Sequence, residues 1–288
     1  MNLIENKYKE LQKWKKVLVA GIFTVLGSFV LGILILPLLL FPIGILLVVI
    51  GALKYTKVSK EVKGLMGEYF SSKGINVKYI PNPNNDEALN MILESGLISN
   101  IYDYHNKIDD YFAGVYKGTP YCFFDFKYYY IVRSNNSSST RTIISGTFFK
   151  IKLNVNIDCN LIIREKNFHR KIEIENLYNI ATNNEAFNQK YMIQTDDHLK
   201  GLEALNENII DGLLEIEKKY DGLFFISIKN DYVYVILGDF QDHFEFSRKG
   251  LDSLLKDYYD LLTVVENVKQ VFEKWSELSY AKENRKVY

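Results

Sequence analysis

Two cysteines in 288 residues are too few for a disulfide scaffold or a four-thiolate zinc site. Net charge is also absent. Thirty-five Lys+Arg balance 35 Asp+Glu, so no whole-molecule field draws the chain to nucleic acid. Five prolines and 17 glycines exclude collagenous or low-complexity sequence. No phosphate-binding glycine loop, H-E-x-x-H or G-x-S-x-G is present, and no motif implies a cofactor. What the chain does have is 48% hydrophobic and 14% aromatic residues, which exclude intrinsic disorder.

Charge is missing most sharply from one stretch. Val17 to Leu53 holds 37 residues with no Asp, Glu, Lys or Arg. A spanning helix needs only about 18 to 20 apolar residues, and one straight helix of this run would overshoot the roughly 30 Å hydrocarbon core. Two spans of about 17 residues fit, with the reversal placed near Pro37 and Pro42, because proline deletes a backbone donor. Lys7, Lys9, Lys13, Lys15 and Lys16 precede the run; Lys54, Lys57, Lys60 and Lys63 follow it. Basic flanks favour the cytoplasmic side, so two basic ends predict a hairpin with both termini cytoplasmic in a multi-pass cell-membrane protein. The run is too long for a signal-peptide core and lacks an A-x-A site after it. In residues 1–16, Ile4, Tyr8, Leu11 and Trp14 fall at helical spacing between lysines, as in an interfacial helix or a solvated basic tail.

Beyond Lys54 the composition is that of a globular domain. Spacing predicts a helix over 57–72, with Val58, Val62, Leu65, Met66 and Tyr69 on one face, and a short strand at 75–79. The turn cluster 81–86 leads into a helix over 87–95. Strands are expected at 109–117 and 121–132, the second with Cys122, Phe124, Phe126, Tyr128, Tyr130 and Val132 toward the core. Residues 134–140 read as a polar loop, and 149–157 and 172–175 as strands. A helix is expected over 197–219, with Leu199, Leu202, Leu205, Ile209, Leu213 and Ile216 buried. Residues 223–228 and 232–237 read as a hairpin around Asn230-Asp231, an order that echoes 75–132. Leu251, Leu254, Tyr258, Leu261, Val265, Val268, Phe272 and Trp275 keep heptad spacing. Such a stripe is either a face for a protein partner or homo-oligomer, or a helix docked on its own sheet.

The predicted class is therefore α+β: an N-terminal transmembrane hairpin, a mixed, mainly antiparallel sheet with flanking helices, and a long C-terminal helix. The divisions are 1–16, a basic juxtamembrane helix; 17–53, the hairpin; 57–246, a cytoplasmic domain; 247–276, the heptad helix; and 277–288, a tail. The segments GLMGEYFSSKG (64–74), DYFAGVYKGTPYCFFDF (110–126), GTFFKIKLN (146–154), 185–216 and 223–245 follow the hairpin in order. Together they resemble an uncharacterised bacterial membrane-protein family, domain of unknown function 3137, over most of 17–246. The resemblance implies a bacterial, membrane-anchored protein and carries no activity or catalytic residues.

Chemistry is sparse. None of His105, His169, His198 and His243 lies three or four residues from another His or a Cys, which argues against a structural metal. Asp103, His105, Asp109 and Asp110 form one acidic-His cluster, the minimum for acid–base work in a ligand-binding or hydrolytic domain. Asp196, Asp197 and His198 form a second, at a helix start where Asp serves as a cap. Asp239, Asp242 and His243 form a third. Turns and caps explain all three better. The favoured reading is a non-enzymatic interaction or assembly module, with the bilayer as partner and no nucleic acid, metal or cofactor.

Overall fold

The computed structural model describes residues 3–30, 36–98, 105–134, 137–168, 177–220, 222–241, 243–244 and 250–285. They form two compact units, Met1–Asn76 with Phe244–Leu255, and Val77–His243 with Lys256–Tyr288.

The first unit is built on two long helices, α1 (Leu3–Val30) and α2 (Leu36–Gly64), followed by α3 (Met66–Ser72). The basic segment 1–16 is thus not a separate helix; it runs without a break into the apolar one. Ile4 and Leu11 of that segment are buried. Residues 31–35, between the two helices, lie outside the described residues. Pro37 is the second residue of α2, where its missing N–H is one of the helix's orphan donors. Pro42 lies inside α2 and not at the reversal. Its missing bond would reach Leu38, still close to the helix start, so the cost is a single bond near an end.

Glycines set how α1 and α2 meet. A Cβ on Gly21 would come 2.8 Å from the Val48 amide nitrogen, one on Gly44 3.0 Å from the Val25 nitrogen, and one on Gly51 3.0 Å from the Leu18 Cα. The contacts step in opposite directions along the two helices, so the pair is antiparallel and nearly backbone to backbone, as small residues allow. Gly27 has nothing within 4 Å and takes no part. At the charged end Lys7 Nζ pairs with Glu61 at 2.7 Å and with Glu10 at 3.2 Å. Large apolar side chains point outward in the other half: Ile22, Phe23, Leu26 and Phe29 on α1, Ile43, Leu46, Val49 and Leu53 on α2 are exposed. Among the described residues one segment, Leu40–Gly64, is long and apolar enough to cross a membrane, with mean hydropathy 1.7. The helix expected over 57–72 breaks at Leu65. Val58, Val62, Met66 and Tyr69 are buried as their spacing implied.

The second unit contains β1 (Val77–Ile80), α4 (Asn85–Ser95), β2 (His105–Tyr116), β3 (Thr119–Ser134), β4 (Ser137–Glu165), β5 (Tyr178–Ile180), α5 (Glu185–Lys190), β6 (Tyr191–Thr195), α6 (His198–Ala204), α7 (Glu207–Glu217) and β7 (Leu223–Gly238). After its first turn α8 (Leu251–Arg285) also belongs here. The seven strands form one antiparallel sheet in the order β1-β2-β3-β4-β6-β5, with β7 on β4. The α+β class is as the patterns predicted.

Particular elements differ from expectation for local reasons. Residues 223–237 are one strand and no hairpin. Asn230 takes a left-handed φ of 57° where the register shifts, the extra residues lying on β4 between Lys152 and Leu161, while both halves stay on β4. The echo of 75–132 disappears with that hairpin. The helix expected over 197–219 is two: Asn206 ends one and caps the next, its side chain accepting from the Ile209 amide. That break leaves Leu199 exposed, outside the stripe that buries Ile209, Leu213 and Ile216. Part of the expected 134–140 loop is strand, since β4 begins at Ser137. The strand expected at 172–175 and His169 lie outside the described residues.

Over Tyr121–Phe126 both faces of β3 are buried, because a layer covers each; further on, Tyr130 and Val132 are only half-buried. Phe124, Phe126 and Tyr128 enter a core with Ile92 of α4, Phe148, Phe225 and Tyr234. Tyr121 and Phe123 face the other way, with Phe112, Phe149 and Tyr258 of α8. The Tyr121 and Tyr258 hydroxyls meet at 2.6 Å, and burial raises both above the ordinary phenol range. Lys117 pairs with Glu266 of α8 at 2.5 Å. The heptad stripe is therefore taken up inside the chain. Tyr258, Leu261, Val265, Val268 and Phe272 are buried, as are Leu251 and Leu254 in the first unit. Of the two readings of the stripe, this burial accords with a helix docked on its own chain; the Trp275 side chain lies outside the described residues.

Both cysteines are free and buried. Burial pushes the Cys122 thiol up and Cys159 to about 11. A raised thiol pKa means less thiolate at a given pH. At pH 8 Cys159 should hold roughly two-hundredfold less thiolate than a free thiol of pKa near 8.5. Iodoacetamide should therefore label native protein slowly and urea-unfolded protein fast, read by mass spectrometry. Rapid native labelling would contradict this packing.

Candidate functional site

The acidic-His cluster at the start of β2 does not converge. Asp103 lies outside the described residues. His105 and Asp109 share one face of β2, but four residues along a strand separate them by about 13 Å. Lys107 stands between them. The His105 ring stacks on Tyr129 at 5.5 Å, and Asp109 pairs with Lys107 at 3.3 Å. Asp110 turns away at a bulge with φ 51° and is fully buried, accepting from the Tyr79 hydroxyl at 2.5 Å. Burial, then the Asp110 carboxylate, push the Tyr79 hydroxyl up, so it stays a donor. No proton relay follows from these residues.

The second cluster is structural. Asp197 caps α6, accepting from the Leu199 and Lys200 amides. Asp196 grips Asn160 of β4 through its backbone and side-chain nitrogens at 2.8 and 2.6 Å. In the third, Asp239 Oδ2 meets His243 Nε2 at 2.7 Å, and the His243 amide donates to Asp125 at 3.0 Å. This closes the turn after β7; Asp242 lies outside the described residues. Among the described residues no group of three or more His, Cys, Asp and Glu could hold a metal ion.

What the sheet does assemble is a cleft of about 270 Å³, lined by Lys107, Asp109, Asp125, Phe126, Lys127, Ser145, Phe240 and Gln241. It opens on the face that α8 covers at Phe123. Two and four residues further along β3, Asp125 and Lys127 stand on that same face uncovered by an aromatic of α8. The strand register pairs Asp109 with Asp125 and Lys107 with Lys127, and Ser145 follows across Lys127 on β4. Asp125 is 6% exposed and accepts from the Thr147 hydroxyl at 2.9 Å. The wall comes from the segment after β7. The Phe240 amide donates to Ser145 O at 3.0 Å, and the Phe240 backbone holds a left-handed φ of 59°.

Gly146 lets that segment approach. Its φ is 154°, and a Cβ there would lie 1.9 Å from the Leu237 carbonyl oxygen. Sequence reasoning missed Lys107, Asp125, Lys127, Ser145, Phe240 and Gln241 as a group. The signal available was the alternation in HNKID and DFKYY, which puts a charge at every second residue.

The family model described as Protein of unknown function (DUF3137) matches residues 142–278. The match takes in most of β4 through most of α8, and so reaches past the 246 boundary into the heptad helix, but leaves out the N-terminal hairpin and the elements from α3 to β3. The comparison with curated proteins gives no match. Among solved structures, a crystal structure of the mycobacterial trehalose monomycolate transport factor A, TtfA, is similar over 70% of this chain and 95% of that one, at 10% identity and a TM-score of 0.37.

Proposed function

We propose that this protein is an integral membrane protein held by the α1–α2 hairpin, with both chain ends on the cytoplasmic side, and that it serves as a non-enzymatic assembly module. The observation that carries the anchoring is the packing of the hairpin. Lys7 and Glu61 meet at 2.7 Å, so the two basic flanks lie at one end of the helix pair. Apolar side chains face outward beyond them, as lipid-facing residues do. A single span would carry one basic flank across the bilayer, against the usual charge bias.

Support for a non-enzymatic role comes from where the acid and histidine groups go. Asp197 caps a helix, Asp196 holds Asn160, Asp239 and His243 close a turn, and His105 stacks on Tyr129. The partner is a protein met at the membrane, by a face other than the buried heptad stripe. Chemical crosslinking in native membranes, followed by purification in mild detergent, tests this. A discrete crosslinked complex is expected. A strictly monomeric chain with no crosslinked protein would overturn the assembly role.

A further inference from the structure

We propose that the cleft between β2, β3 and the segment after β7 binds a phosphate group between Lys107 and Lys127. Lys107 and Lys127 stand directly opposite each other on adjacent strands, a like-charge arrangement that weakens a sheet. The neighbouring row has the same oddity in the other sign, Asp109 opposite Asp125. The fold compensates the aspartates. Thr147 and the His243 amide donate to Asp125, while the Asp110 amide and Lys107 serve Asp109. It does much less for the lysines. Lys107 leans along its strand to Asp109, and Lys127 lies over the Tyr129 ring at 5.9 Å from its centroid. The two ammonium groups are drawn in opposite directions, and an anion seated between them would relieve their repulsion.

The rest of the lining fits that reading. Ser145 adds a hydroxyl beside Lys127, and Gln241 adds an amide. Two point-like ammonium groups, a hydroxyl and an amide on separate elements suit a tetrahedral oxyanion. A planar carboxylate is better matched by an arginine fork, and no arginine is among the described residues that line the cleft. Phe240, 57% exposed, gives an apolar wall for whatever the phosphate carries. At about 270 Å³ the cleft falls below the range of drug-sized sites, so it holds a phosphate with a small substituent. Such a group belongs equally to a soluble phosphate ester and to a lipid headgroup.

Isothermal titration of the full chain in non-ionic detergent tests the site. The probes are inorganic phosphate, glycerol phosphate and dihexanoyl phosphatidylglycerol, each at matched ionic strength against chloride. Saturable binding by one of them is expected, weakened about tenfold or more in Lys107→Met and in Lys127→Met. Lys152→Met, whose lysine pairs with Asp231 elsewhere on the sheet, should bind as the unaltered chain does. Without ligand, Lys127→Met should melt no lower than the unaltered chain, because it removes a like-charge contact. That separates lost binding from lost folding. Binding of glycerol phosphate alone identifies a soluble ester as the source, and of the lipid alone a headgroup. No saturable binding by any probe, or binding that survives both lysine substitutions, would overturn the proposal.

Discussion

Gly146→Ala should lower the melting temperature of the second unit by roughly 6 to 12 °C, the shift expected for about 3 kcal/mol in a domain of this size. The new methyl group would sit 1.9 Å from the Leu237 carbonyl oxygen and 3.1 Å from the Asp239 amide nitrogen. Neither is the end of a flexible side chain. Relief requires β7 to lift off β4 at the end of their ladder, where buried Thr147 pairs with Leu237. The φ of 154° adds strain of its own. Gly118→Ala is the matched control. Its φ of 80° is as unfavourable, but nothing lies within 4 Å, so it should cost only about 1 kcal/mol. Near-ultraviolet circular dichroism of the full chain in detergent reads both. Equal melting points for the two variants would show that β7 does not cross β4 at Gly146.

Gly146 also shows what the sequence could and could not reveal. Alternation located β3 and β4, and helical spacing located α7 and α8, because burial on one face leaves a period; α4 was located by the turn residues before it. It misjudged Asn230, where a left-handed residue between two apolar runs fits a continuous strand opposite an irregular stretch of its partner as readily as a turn. Only the pairing of both halves with β4 distinguishes them. Asn206 was invisible for the converse reason: a cap inside a continuous apolar stripe does not interrupt the stripe. The cleft was the least legible feature. Lys107 and Lys127 are twenty residues apart, and their meeting depends on the bulge between Asp109 and Phe112 that sets the register. The heptad spacing of α8 was plain, yet a stripe facing its own sheet and one facing a second chain have the same period.

The second large effect concerns the hairpin. Gly21→Leu should force α1 and α2 apart, since even a Cβ at Gly21 falls 2.8 Å from the Val48 nitrogen. Leucine adds three more carbons in the same direction. Helices that associate through small residues lose that association when a bulky one enters the contact. A carbodiimide crosslinker joins an amine and a carboxylate only when they touch, and Lys7 and Glu61 stand 2.7 Å apart. The Lys7–Glu61 amide should form readily in the unaltered chain. In Gly21→Leu its yield, by mass spectrometry of the peptides, should fall about threefold or more. Gly27→Leu, with open space around it, should leave the yield unchanged. If Gly21→Leu crosslinks as well as the unaltered chain, the two helices are not held together at that glycine.

Anchoring by a hairpin with both ends on one side is the claim on which the proposed role depends. It is tested most directly by single cysteines at two exposed positions, Lys9→Cys on α1 and Lys73→Cys after α3. The chain's own thiols, Cys122 and Cys159, are buried and contribute little background. Each variant is treated with a membrane-impermeant maleimide in intact cells and again after lysis. Both positions should stay unlabelled in intact cells and become labelled on lysis. Labelling of either position from outside an intact cell would contradict the account.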